Sequence, residues 1–407
     1  VVVQRVRDAR DVEAAVGAAV AAGQLLDICG HGSKRALGRP GAAAAVFDVS
    51  ALDAVTLYEP HELVLTVQAG ARLAEVEALL ARHAQELAFE PMDVRALLGG
   101  ESAGTVGGML ATAFAGPRRI KAGGARDHFL GLSAVSGFGE TFKAGGRVVK
   151  NVTGYDLCKL FAGSWGTLGV MTEVTLKVLP KAETETTLLL RGLDAIMANR
   201  AMNAALGSPH DVSGAAYLPA SSLRGPSVVP ADAAATVIRL EGIAVSVADR
   251  AQALANDLAS FGAAERLPAD TSGALWRAVR DVTPFAAGGP LGAWPVWRIV
   301  MPPASGGGLA ETLTRETGGE AIVDGGGGLI WFALPPSADA GAGVIRARVA
   351  AAHGHAMLFR ATEAVRAAVD VFPPLAPGLA ALNRRIRAGF DPRGLFNRDR
   401  LYAEPSA

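Results

Sequence analysis

Apolar positions along this chain alternate between short continuous runs and helical periodicity. Residues 11–23, DVEAAVGAAVAAG, predict a helix with Asp11 as its cap and Gly23 as its stop. LLDIC at 25–29 predicts a buried strand, and AVFDVS, AVTLY and LVLTVQAG predict three more, the last two separated by a turn at EPHE. In RLAEVEALLARH, Leu73, Val76, Leu79 and Leu80 share one helical face. The order helix, strand, strands, helix indicates α+β and not a strict βαβ repeat.

Residues 91–124 are glycine-rich. LGLSAVSGFGETFKAGGRVV then predicts a hairpin, GYDLCKLFAGSWG a short helix with a locally capped start at Tyr155 and Asp156, and TLGVMTEVTLKVLP a strand ended by Pro180. Beyond Pro180 strands and helices alternate: ETTLLLRG, ATVIRLEG, WPVWRIVMP and GGLIWFALP as strands, with AIMANRAMNAALG, VADRAQALANDLASFGA and LAETLTRETG as helices. This alternation predicts a separate antiparallel α+β domain. SGGGL, DGGGG and ADAGAGV are expected to be loops. The end of the chain carries a helix and a compact terminal loop.

With 407 residues, 50% hydrophobic and 19% charged, the chain is core-forming and long enough for two or three domains. Its formal net charge of zero gives no sign of a nucleic-acid partner and little protection against association, so a partner subunit fits. Two cysteines, Cys29 and Cys158, are too few for an iron–sulfur cluster held by this chain alone. They also make no disulfide framework, which fits a reducing cytoplasm. The charged N-terminal stretch lacks a signal peptide's apolar core, and no apolar run of about 18 residues is present, so any membrane association is expected through a partner.

Candidate chemistry sits in the glycines. Gly30-His31-Gly32-Ser33-Lys34 follows a strand, yet it lacks the third glycine and the helix of a dinucleotide fingerprint, and no stretch fits a Walker loop. Small residues there let backbone N–H groups turn inward on an anion, with Ser33 and Lys34 adding donors. An ordinary glycine turn is the alternative. Thr105-Val106-Gly107-Gly108 permits close backbone approach to a ligand. Gly116, Pro117, Arg118 and Arg119 follow, either as part of a site or as a flexible loop with a solvated arginine pair. Gly154, Gly163, Gly166 and Gly169 punctuate a third element.

Together these elements resemble the FAD-binding fold of the vanillyl-alcohol oxidase and p-cresol methylhydroxylase class. Within it they resemble the FAD-binding subunits of bacterial glycolate oxidases (glycolate dehydrogenases). The resemblance is strong through residue 182 and continues in WRIVMPP, GHAMLFR and FDPRGLFN. It implies an FAD-binding domain over residues 1–182, a smaller antiparallel α+β cap over 183–360, and a 361–407 segment returning to the flavin domain. It assigns FAD to Gly30, His31, Gly32, Ser33, Lys34, Thr105, Val106, Gly107, Gly108, Ala111, Gly116, Arg126, Gly166, Gly169, Val170 and Asn397. The position that carries covalent flavin in some members falls at Ser33, so the FAD is expected to be non-covalent.

This chain departs from the class in three places. Only His353 and His355 stand where 2-hydroxy-acid dehydrogenases carry a longer histidine motif, so no metal is expected. Trp165 replaces an acidic residue in GSEGTLG, and Asn397-Arg398-Asp399 replaces N-P-G. Oxidation of a 2-hydroxy acid needs a cation for the carboxylate and a base for the hydroxyl. Arg298 and Arg360 are the candidate cations and His355 the candidate base, each with a structural role as the alternative; Trp297 and Trp331 read as core. The resemblance implies a heteromeric glycolate dehydrogenase with a catalytic flavoprotein homologue and an iron–sulfur subunit. It would be cytoplasmic, or peripheral on the inner membrane through the complex. A self-sufficient FAD-linked 2-hydroxy-acid dehydrogenase and a non-catalytic assembly subunit remain open alternatives.

Overall fold

The computed structural model describes residues 2–41, 45–148, 154–223 and 229–403. Residues 149–153, at the end of the expected hairpin and within the third glycine element, lie outside them.

The helix Ala9–Ala22 starts earlier than Asp11. Asp8, in extended conformation, is the cap and accepts from the N–H groups of Arg10 and Asp11 at 2.9 and 2.8 Å. Asp11 is thereby inside the first turn and pairs with Arg7. Gly23 ends the helix in left-handed conformation, as expected. Leu26–Cys29 pairs in parallel with Ala45–Asp48, and so does Val2–Arg5, a strand that the apolar pattern did not single out. Its exposed Val3 and Gln4 give no buried alternation to detect.

Five antiparallel strands form the second sheet, in the order Val55–Glu59, Val64–Gln68, Val170–Lys177, Phe129–Val135, Thr141–Gly145. The helix Leu73–Ala81 buries Leu73, Val76 and Leu80, with Leu79 at the margin of the same core. Within the glycine-rich stretch lies a helix, Val106–Thr112, capped by the Thr105 hydroxyl.

Strands between Thr184 and Arg360 build one eight-stranded antiparallel sheet, here termed the cap. Helices Ala195–Leu206, Ala244–Asp257 and Gly306–Thr317 pack on one face through residues such as Leu188, Ile238 and Phe332. SGGGL is therefore not a loop. A Cβ on Gly306 would lie 2.3 Å from the Gly327 carbonyl, and one on Gly307 2.3 Å from that of Ala195. These glycines serve close helix packing, which composition alone reads as a turn. ADAGAGV likewise runs into the helix Ala342–Ala351.

Strand alternation places Arg298, Trp331, Met357 and His355 on the opposite face of the cap, through the pairs Arg298–Trp331, Arg298–Met357 and Val300–His355. Asp324, paired with Leu329, joins them. This face meets the flavin side through Phe114 and Trp165, which share a core with Trp331, Met357 and Phe359. Arg118 is not solvated: it donates to Glu86 at 2.7 Å and to Glu241 at 2.7 and 3.1 Å. Arg239 donates to both Glu90 oxygens at 2.8 and 3.0 Å. Burial pushes the Glu90 carboxyl up, but Arg239 and Arg118 outweigh it and hold it below its ordinary value. Arg239→Met should therefore cost about 3 kcal/mol, because it strands buried carboxylates. The check is a fall in the urea midpoint at unchanged m-value.

After the helix Pro377–Phe390 the chain returns to the first sheet. Leu26 donates to Leu395 at 2.9 Å and Asn397 to Leu26 at 3.0 Å. Among the described residues no helix is long and apolar enough to cross a membrane.

Candidate active site

The loop after Leu26–Cys29 and the start of the Val106–Thr112 helix touch through glycine. A Cβ on Gly30 would lie 2.7 Å from Thr105 Cγ2, and one on Gly104, which has φ +94°, would lie 2.5 Å from Ser33 Oγ. Between the two runs a cleft with a mouth open to solvent, lined by Gly30 to Lys34, Thr105 and Gly108. Among the described residues, none of the backbone N–H groups from Gly30 to Lys34 finds an acceptor. A continuous run of unpaired donors is a nest for an anion. His31 Nε2 is likewise buried without a partner. Loss of hydration, then Arg72, holds the His31 ring below its ordinary pKa. Among the described residues Lys34 Nζ reaches only Ser33 Oγ, at 3.3 Å, and loss of hydration lowers its pKa to about 8. A poorly hydrated ammonium next to free amides is stabilised by a phosphate.

Asn397 closes the cleft. Its Oδ1 accepts from Ile28 N–H and its Nδ2 donates to the Trp165 carbonyl, both at 2.7 Å. Asp399, at the place of the usual glycine, adopts φ +64°, a conformation that Asp tolerates better than most residues. Trp165, also at positive φ, lines the cleft and packs edge-on against Phe114 at 5.9 Å and Phe372 at 5.1 Å.

Phe114 links the cleft to the cap. The Arg298 guanidinium lies 5.8 Å from the Phe114 ring and 5.9 Å from that of Trp331. Among the described residues no carboxylate lies within 4.0 Å of it. Loss of hydration and then Arg119 lower its pKa to about 10, so it stays a cation. Asp324, 4% exposed, accepts one hydrogen bond, from Gly325 N–H to Oδ1 at 2.7 Å, and burial raises its pKa to about 7. His355 begins its strand, is exposed, and is held below its ordinary value by loss of hydration and then by Arg298. Trp297, by contrast, is core: it is fully buried and donates to the Ala340 carbonyl.

Of the residues singled out in the sequence, Gly30, His31, Gly32, Ser33, Lys34, Thr105, Gly107, Gly108, Ala111, Gly166, Gly169 and Asn397 line the cleft. Val106 and Val170 turn into the two cores beside it. Gly116 packs against Glu90 and Arg280, and Arg126 is exposed on the short helix Ala125–His128, both away from the cleft lining. Arg360 is engaged elsewhere. Its guanidinium donates to the carbonyls of Trp294, Leu97, Phe285 and Leu291, which takes up all its donors. Sequence reasoning missed Arg400, which lines the cleft and donates to the Lys34 carbonyl at 3.2 Å, and it missed Asp324. A lone acid before four glycines was the only local signal for Asp324, whereas Arg400 had none.

A family model described as an FAD binding domain matches residues 1–145. The glycolate oxidase subunit GlcE of Escherichia coli (strain K12) is 32% identical over 381 residues, 93% of this chain and 93% of that protein. The chain belongs to the GlcE family of glycolate oxidase subunits. Its cofactor is FAD, and its relatives are FAD-linked oxidoreductases. Glycolate oxidase subunit GlcD of Bacillus subtilis (strain 168) is 40% identical over 117 residues, 29% of this chain and 23% of that protein. A D-lactate dehydrogenase of Archaeoglobus fulgidus is 38% identical over 122 residues, 30% of this chain and 26% of that protein. A solved alkyldihydroxyacetonephosphate synthase shares the fold, with a TM-score of 0.70 at 17% identity over 97% of this chain and 75% of that one. The free amides from Gly30 to Lys34 and the unpaired His31 fit the diphosphate that FAD brings.

Proposed function

We propose that this chain is the FAD-binding subunit of a heteromeric glycolate dehydrogenase. It holds FAD non-covalently and passes electrons to an iron–sulfur partner beside a catalytic flavoprotein homologue. The complex works in the cytoplasm or at the cytoplasmic face of the inner membrane. The observation that carries the reading is Arg298, a guanidinium with no carboxylate within 4.0 Å among the described residues, on the cap face that meets the cleft through Phe114.

Bound FAD supplies the acceptor for the hydride that glycolate loses on becoming glyoxylate. Arg298 binds the substrate carboxylate through its planar fork. The rings of Phe114 and Trp331, 5.8 and 5.9 Å away, attract that guanidinium and keep water from it. Asp324 takes up the hydroxyl proton at Oδ2, its Oδ1 being held by Gly325 N–H. The site requires Asp324 ionised. With its pKa at about 7, kcat/KM for glycolate should rise with pH through about 7 and then level off, and Asp324→Asn should remove that rise. Stability moves the other way. The folded pKa lies above the unfolded one, so the contribution is complete below the unfolded value and is lost as pH rises through about 7. Asp324→Asn should flatten this loss in denaturant titrations at pH 6 and pH 8.

Anaerobic glycolate added to the assembled complex should bleach this chain's flavin and yield glyoxylate, with steady turnover requiring the partners. Equal turnover by the isolated chain would make it a self-sufficient 2-hydroxy-acid dehydrogenase. A flavin that stays oxidised within a working complex would leave the chain an assembly role.

A further inference from the structure

Among the described residues, the lysine and arginines that line the flavin cleft are Lys34, Arg35 and Arg400, and its carboxylate is Asp27. Arg35 pairs with Asp27, Nη2 to Oδ2 at 2.7 Å, and the two charges cancel. Lys34 and Arg400 are left over, with no carboxylate of a described residue within 4.0 Å of either. A diphosphate bridge, with a negative charge on each phosphate, matches that surplus.

Arg400 reaches the cleft from the other end of the chain. Its stem crosses Gly38, where a Cβ would lie 3.2 Å from Arg400 Cδ and 2.9 Å from the Arg400 carbonyl oxygen. Gly38 has φ +72°, so glycine serves this approach twice, by conformation and by space. The backbone is fixed on both sides. Arg39 N–H donates to the Arg400 carbonyl at 3.0 Å, and Arg400 N–H donates to that of Asn397 at 3.1 Å. The guanidinium donates to the Lys34 carbonyl at 3.2 Å and reaches that of Arg39 at 3.5 Å. Those carbonyls take only part of its donor set. Loss of hydration outweighs Asp27 and lowers its pKa, so this cation, like Lys34, is poorly hydrated. Arg360 makes the contrast: it spends its donors on carbonyls and stands outside the cleft lining.

We infer that Arg400 is the second cation of the FAD site and shares the charge of the diphosphate with Lys34. The C-terminal segment therefore completes the cofactor site as well as bracing its loop. The inference rests on FAD as the cofactor and not on the subunit reading.

The test is titration of apo-protein with FAD, followed by flavin fluorescence over a range of salt concentrations. The chains compared are wild type, Arg400→Met, Arg400→Lys, Lys34→Met and the double methionine variant. Arg400→Met should weaken FAD binding by about tenfold to a hundredfold at low salt. Arg400→Lys should recover part of that loss, because it keeps the charge without the fork. The dependence of log Kd on log salt should fall by about half in each single methionine variant and nearly vanish in the double one. Lys34→Met leaves Arg400 in place, so its remaining salt dependence decides the matter even where Arg400→Met fails to fold. A salt dependence that vanishes in Lys34→Met alone would overturn the inference. So would unchanged FAD affinity in Arg400→Met. Equal losses in Arg400→Met and Arg400→Lys, at wild-type salt dependence, would reduce Arg400 to a brace of the loop and overturn it as well. A wild-type apo-protein that takes up no FAD would remove the cofactor and this role together.

Discussion

Gly108→Leu is expected to give a folded protein that purifies without flavin. Gly108 sits in the first turn of Val106–Thr112, where its N–H donates to Thr105 Oγ1 at 3.1 Å. A Cβ there would lie 3.3 Å from the same oxygen, a contact that a small side-chain shift relieves. The helix can therefore carry a side chain at this position, and the side chain extends into the cleft that Gly108 lines. Filling that space should lower FAD affinity at least about a hundredfold, some 2.7 kcal/mol. The neighbouring Gly107→Leu serves as contrast. Its Cβ would lie 2.8 Å from the Ala69 carbonyl, which is backbone and cannot move aside. That variant should lose melting temperature as well as flavin. Visible absorbance per mole of protein, read with a thermal melt, separates the two, and full flavin retention in Gly108→Leu would overturn the assignment of this cleft.

Arg298→Met should lower kcat/KM for glycolate in the assembled complex by about 10²- to 10³-fold, some 3–4 kcal/mol, while flavin content stays at wild-type level. The loss has two sources: the paired hydrogen bonds to the substrate carboxylate, and the charge that draws it into a poorly hydrated site. Arg298→Lys should restore part of the activity, because an ammonium keeps the charge but not the fork. The effect should fall mainly on KM if Arg298 only binds, and on kcat if it also orients the hydroxyl toward Asp324. Wild-type kinetics in Arg298→Met would place the substrate elsewhere. Arg360→Met should behave differently: the carbonyls of Leu97, Leu291 and Trp294 lose their donor, so the change should appear as lost stability.

These contrasts show where the sequence was legible. Strands such as Ala45–Asp48 and Ala235–Gly242 were readable because a continuous or alternating apolar run is itself the record of burial. The first glycine loop, which alone reads as an ordinary turn, was readable only together with Thr105 to Gly108 and the later glycines, as a set that resembles a known class. The helices at Val106–Thr112 and Gly306–Thr317 were hidden by the same glycines, since their need for glycine comes from a partner surface, at Ala69, Ala195 and Gly327, and not from local conformation. Asp11 was displaced as a cap by Asp8 for a similar reason: either carboxylate fits the rule, and the extended backbone at Asp8 decided between them.

By itself the sequence determined the α+β class and the two-arginine shortlist, which depend on residue type and near-neighbour spacing, and it pointed to the FAD-binding loops through their resemblance to a known class. Only the tertiary structure decided which arginine is available. Arg298 and Arg360 both stand on cap strands, but carbonyls from four distant residues, one of them 263 positions away along the chain, accept from Arg360. The same holds for Asp324, whose raised pKa comes from burial at the meeting of the cap with the flavin side. Desolvation is a property of everything packed around a group, so residue spacing along the chain does not encode it.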